Sequence, residues 1–126
     1  MLFNYIGHYS LIMGFMASVI IFFLSLKSYK LKIIDKRIFS ISFLQLFFVL
    51  ISFISLIICF VISDFSNETV FNNSHSNKPI FYKISGTWGN HEGSLLLWLL
   101  VLTLFLFLFL INSTSELKKY RILTLV

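Results

Sequence analysis

The chain has 126 residues, is 58% hydrophobic and only 12% charged, and has a mean hydropathy of +0.93. A soluble domain of this length could not bury so much apolar surface, because small domains keep a large share of their surface in water. The formal charge of +5 does not signal nucleic acid, since the positive residues flank apolar runs in short segments, the pattern that orients membrane proteins.

The first apolar run covers about 6–26, interrupted by Gly7, His8, Ser10, Gly14 and Ser18. It has the length of about 20 residues that a helix needs to cross a bilayer. The start, MLFNYIGHYS, lacks the basic segment of a cleavable signal, and the apolar part is longer than such signals carry, so a retained span is expected. The segment KSYKLKIIDKR follows, with Lys27, Lys30, Lys32, Lys36 and Arg37 against Asp35.

The second run, about 38–63, carries no charge, and its polar interruptions are Ser40, Ser42, Gln45, Ser52 and Ser55. Serines in such a helix bond to their own backbone or across to a neighbour. Cys59, the single cysteine, can form no internal disulfide and reads as a small buried hydrophobe. The outer loop, 64–87, is rich in Asn and Ser up to Pro79, which suits the first position of a helix. PIFYKI then predicts a short interfacial helix near 79–86, with Tyr82 and Trp88 in the aromatic belt. His75 lies in the polar part of this loop and His8 at the outer end of span one, each without a local ligand partner. Asn67-Glu68-Thr69 and Asn72-Asn73-Ser74 match the glycosylation pattern, which such composition produces by chance.

The third span, about 91–111, is entered through TWGNHEGSLLLW. If Trp88 to Trp98 is helical, His91, Leu95 and Trp98 share one face, and Trp88, Glu92 and Leu95 an adjacent one. Gly86, Gly89 and Gly93 then make a strip along which another backbone or a flat ligand could approach. Glu92 suits the positive end of the helix dipole. Two readings are open here: an aromatic anchor with a packing strip, or a surface for a partner helix, cofactor or polypeptide. His91 alone is not a metal site, since no second His or Cys stands at ligand spacing. No metal ligands and no catalytic residues are assigned in this chain. The final RILTLV reads as an incomplete fourth span.

The fold class is therefore an all-α integral membrane protein with three transmembrane helices. Lys118, Lys119 and Arg121 join the five basic residues after span one, so eight of the ten Lys and Arg lie on one side. The positive-inside rule puts that side in the cytoplasm or matrix, and the N-terminus and loop 64–87 in the periplasm or intermembrane space. Spans without charge argue against an ion pathway, which intramembrane charges normally mark. Sixteen phenylalanines beside many Ile, Asn, Ser and Lys point to an AT-biased genome, that of an organelle or an AT-rich bacterium.

WGNHEGSLLLW, preceded by KPIFYKISGT and by a second span ending in FVISDFS, resembles the N-terminal region of CcmF. That family is the large membrane subunit of the system I machinery for cytochrome c maturation. The start, YIGHYSLIMGF, resembles its first span, so the resemblance covers nearly the whole chain in order. It implies a haem lyase, which joins haem vinyl groups to the thiols of a Cys-x-x-Cys-His apocytochrome c. The family's tryptophan-rich haem-handling segment and its haem-coordinating histidines have no counterpart here. His8, His75 and His91 are therefore not carried over as haem ligands. Trp88, Gly89, His91, Glu92, Gly93, Ser94 and Trp98 are assigned a structural role or one in positioning haem or apocytochrome.

The resemblance implies that residues 1–126 form a single membrane segment, the N-terminal part of a larger lyase, present as a split-gene product or a truncation. Its partners are then the remaining CcmF fragments or subunits, a haem chaperone and apocytochrome c. Haem belongs to the full assembly, with none bound by this chain alone, and the chain is not catalytic by itself. The expected location is the mitochondrial inner membrane, with a bacterial inner membrane as the alternative. The competing function is a small structural accessory subunit of a respiratory or transport complex.

Overall fold

The computed structural model describes residues 2–31 and 36–112. They form five helices: α1 (Leu2–Leu31), α2 (Lys36–Ile62), α3 (Glu68–Asn73), α4 (Ile80–Gly86) and α5 (His91–Asn112). Three of them, α1, α2 and α5, are long and apolar enough to cross a membrane. The 22 residues of α5 suffice for the ~30 Å hydrocarbon core at a rise of ~1.5 Å per residue. The helical part of the first span reaches further at both ends than the apolar run suggests. The proposed fourth span, along with Lys118, Lys119 and Arg121, lies outside the described residues.

Helix α2 is the centre of the unit, with α1 along one side and α5 along another. The α1 face toward α2 buries Ser10, Gly14, Ala17, Ile21, Ser25 and Ser28, and α2 buries Ile38, Ser42, Gln45, Val49, Ser52 and Cys59. These positions recur at steps of three, four and once seven, the spacing of a seam between two packed helices. Small residues let the backbones approach closely. A β-carbon on Gly7 would stand 3.1 Å from Ser55 Cβ, and one on Gly14 3.2 Å from Val49 Cγ2. The serines supply the missing bulk without adding charge, and Ser25 Oγ donates to the Ile21 carbonyl at 2.8 Å.

Toward the inner end all three long helices meet. Ile21, Ile38 and Leu110 form a buried cluster flanked by Leu24 and Ile41. The Phe107 ring of α5 lies 5.4 Å from that of Phe39 and 5.5 Å from that of Phe43.

At the outer end, α2 stops in a Schellman motif. Ser63 takes φ 54°, its N–H donates to the Phe60 carbonyl, and the Asp64 N–H donates to the Cys59 carbonyl. The turn that follows is fixed by Asp64, whose Oδ1 accepts from the Ser66 N–H and hydroxyl at 3.2 and 2.5 Å.

The Asn/Ser-rich part of the outer loop is more ordered than its composition suggests. It contains α3, capped by Asn67, whose Oδ1 accepts from the Thr69 and Val70 N–H groups. Val70 is fully buried against Cys59 and Phe60, which is why this stretch holds a turn of helix. Asn67 Nδ2 also donates to Asn4 Oδ1 at 2.9 Å, and Asn4 Nδ2 to the Ser66 carbonyl at 3.5 Å. The start of α1 and the loop 64–87 therefore share one end of the bundle, as the charge pattern requires. Cys59 is a buried free thiol within the same cluster, as its apolar setting predicts. The second helix of the loop, α4, is the interfacial element expected near 79–86. Pro79 caps it rather than opening it, its carbonyl accepting from Tyr82 and Lys83 N–H. Lys83 Nζ reaches back to Ser63 Oγ at 2.7 Å, fastening α4 to the end of α2.

Candidate functional site

The segment from Thr87 to Trp98 is not one helix. The chain turns through 87–90, and α5 begins at His91. Trp88 therefore does not share a helical face with Glu92 and Leu95. The physical cause is Asn90. Its Oδ1 accepts from the Gly93 N–H at 2.6 Å, a side-chain cap on the first turn of α5. Its Nδ2 donates to the Gly86 carbonyl at 2.7 Å and to the Thr87 carbonyl at 3.2 Å. One amide thus closes the end of α4 and opens α5, a geometry incompatible with continuous helix between them. Asn90 is buried, and its own carbonyl accepts from the Ser94 N–H at 3.0 Å.

The three glycines do not form an open strip. Each meets its own neighbour inside the chain. A β-carbon on Gly86 would lie 3.4 Å from the Phe60 ring, and one on Gly89 3.2 Å from the Ser85 carbonyl oxygen. Gly93 is the strictest, because the Thr87 carbonyl oxygen occupies the space its β-carbon would need. Thr87 itself is fully buried, and its hydroxyl has no hydrogen-bond partner among the described residues. Ser94 Oγ donates to the His91 carbonyl at 2.8 Å, which keeps its hydroxyl within the helix.

With Asn90, Gly93 and Ser94 spent on structure, the remaining motif residues point away from the turn. His91 and Glu92 are exposed, and so are Trp88 and Trp98, the latter 71%. His91, Leu95 and Trp98 do share a face, and Leu102 and Phe105 continue it as an exposed stripe along α5. Glu92 sits in the first turn, where its charge suits the helix dipole.

Glu92 also lines an outer cavity of about 240 Å³ between α1, α2 and α5, together with His8, Asn4, Ser55, Asn67 and Thr69. The structure so brings His8 of α1 and Glu92 of α5 to one cavity of mixed polar and apolar lining, a juxtaposition across 84 positions that sequence spacing could not show. His91 faces elsewhere, and His75 is exposed beyond α3. Among the described residues no group of three His, Cys, Asp or Glu could hold a metal ion. The residues missed from sequence are Asn90 and Thr87. Asn90 had a usable signal, a capping residue immediately before a long apolar run.

These features define a three-span membrane unit whose outer end carries a rigid polar turn with exposed aromatic and charged side chains. Comparison with known proteins shows what it is similar to. The chain is 44% identical over 100 residues to the cytochrome c-type biogenesis protein CycK of Bradyrhizobium diazoefficiens, covering 76% of this chain and 15% of that relative. It is 63% identical over 51 residues to CycK of Rhizobium meliloti, covering 40% of this chain and 8% of that protein. With the cytochrome c-type biogenesis protein CcmF of Escherichia coli it shares 45% over 51 residues, again 40% and 8%. The chain is a homologue of the CcmF/CycK cytochrome c-type biogenesis proteins, and it spans about one seventh or less of the relatives it matches. No protein-family model and no solved structure matches it.

Proposed function

We propose that this chain supplies a three-span unit of a cytochrome c haem lyase, the assembly that attaches haem covalently to Cys-x-x-Cys-His apocytochrome c. The observation that carries the reading is the outer turn. Asn90 and Gly93 fix it, with Trp88, His91 and Glu92 exposed at the turn and the start of α5 and Trp98 exposed further along that helix, on a chain homologous to cytochrome c biogenesis proteins. Its part is positioning. A preformed turn keeps the rings and the carboxylate of a docking surface in place without an ordering cost at the moment of binding.

Haem enters this reading as the cofactor of the whole assembly. The remaining lyase segments, a haem chaperone and apocytochrome c are the proposed partners. The proposed setting is the mitochondrial inner membrane, supported by a composition that suits an AT-biased organellar genome. The N-terminus and the loop 64–87 would face the intermembrane space, opposite the basic segments.

The test replaces Trp88, His91 and Glu92 singly with alanine in cells that depend on this chain. Covalent c-type haem is read by haem stain and the chain itself by immunoblot. Loss of c-type haem at an unchanged amount of the chain is expected. Normal c-type cytochromes combined with failed assembly of another membrane complex would overturn the reading in favour of a structural accessory subunit.

A further inference from the structure

Below the outer cavity, α1 and α5 diverge over α2 and leave a second cavity of about 360 Å³. Leu11, Ile12 and Phe15 of α1, Val49 of α2 and Leu99 of α5 give it apolar walls, and Gln45 of α2 adds a polar group. Gln45 is 8% exposed, and its side-chain amide makes no hydrogen bond to any described residue. In the span 37–62 it lies ~7 Å from the midpoint at 1.5 Å per residue, inside the hydrocarbon core. An amide there has no bulk water to bond, and leaving it unpaired is costly.

Two simpler occupants each meet only half of what the cavity presents. A lipid tail fills apolar space but neither donates nor accepts a hydrogen bond. A trapped water needs two to four polar partners. Besides Gln45, the cavity offers only the Ser18 hydroxyl, which donates to the Phe15 carbonyl at 2.7 Å and keeps acceptor capacity, so a water would have the minimum of two partners and would leave the apolar walls uncovered. A transmembrane helix satisfies both demands, with apolar side chains against Leu11, Phe15 and Leu99 and one polar side chain at the depth of Gln45. Asn and Gln are the residues that bond across helices in this way. Length is available, since the 100 matched residues are only 15% of the first relative.

We infer that the groove between α1 and α5 is the docking site of a further transmembrane helix from the rest of the assembly, hydrogen-bonded to Gln45 through a polar side chain. The inference rests on the reading of this chain as one segment of a larger membrane protein, and it names the surface by which the segments join.

The test places a benzophenone photo-crosslinking residue at Phe15 or at Leu99 in the intact membrane assembly, with Phe23 on the outside of α1 as control. Adducts are identified by mass spectrometry. Both groove positions are expected to label the same apolar peptide from another part of the assembly, and Phe23 not to label it. Gln45→Leu, close in volume, should lower the adduct yield at least fivefold at an equal amount of the chain, and Gln45→Asn should keep more than half of it. Should Gln45→Leu reduce the chain itself, adduct identity with Gln45 intact decides. Adducts with lipid alone or with a second copy of this chain, or an unchanged yield in Gln45→Leu, would overturn the inference. An adduct to a span of an unrelated complex would instead keep the groove and sink the lyase reading.

Discussion

The carbonyl oxygen of Thr87 fills the position that a β-carbon on Gly93 would take. This contact makes glycine a steric requirement in the first turn of α5, and it locks the outer turn to the transmembrane helix beneath it.

Gly93→Ala should therefore cost at or above the upper end of the ~1–3 kcal/mol typical of overpacking, because backbone rather than a flexible side chain must move. Gly86→Ala, which meets only the Phe60 ring at 3.4 Å, should be far milder. Thermal unfolding in detergent checks the pair. Equal melting temperatures for the two variants would contradict the contact.

Asn90 offers a graded test. Asn90→Ala removes the cap and both donations to Gly86 and Thr87, and should cost about 1–2 kcal/mol or slightly more. Asn90→Asp keeps an acceptor for the Gly93 N–H but loses the donors, so it should fall between alanine and wild type. Hydrogen exchange of the amides at 91–94 reads the cap directly.

Ser63 sits at φ 54°, where side chains branched at Cβ are strained. Ser63→Val should destabilise by about 1–2 kcal/mol, since it adds that strain and removes the acceptor of Lys83. Ser63→Gly relieves the strain and loses the acceptor, so a net change near zero is expected. Protease protection of the 63–64 turn distinguishes the two.

His8 and Glu92 line one cavity from different helices, so their effects should couple. His8→Ala and Glu92→Gln are expected to lower c-type cytochrome formation singly, and the double variant to fall short of the product of the two losses. A fully multiplicative result would mean that the residues act apart.

The three spans were legible because apolar run length is a one-dimensional signal and the bilayer sets its threshold. That the N-terminus and the loop 64–87 share one end was legible too, since one full span up and one back returns the chain to the same side. The turn at 87–90 was not, because helical periodicity in Gly86, Gly89 and Gly93 imitates a packing strip, and only the reach of Asn90 breaks it. Helix α3 escaped notice because six residues carry too little period, and its stability comes from Val70 docking on Cys59 and Phe60. The meeting of His8 with Glu92 depends on how α1 and α5 lean on α2, which no local pattern encodes.

The amide clasp between Asn4 and Asn67 joins groups 63 positions apart in the chain. A ribosome adding roughly 5–20 residues per second needs several seconds to travel between them. The first span must therefore choose its direction without this bond, guided by charge alone. Only after the second span has crossed the opposite way do the two amides arrive on one side of the bilayer. The clasp then acts as a latch set late in biosynthesis, and a molecule inserted upside down at either span could never close it.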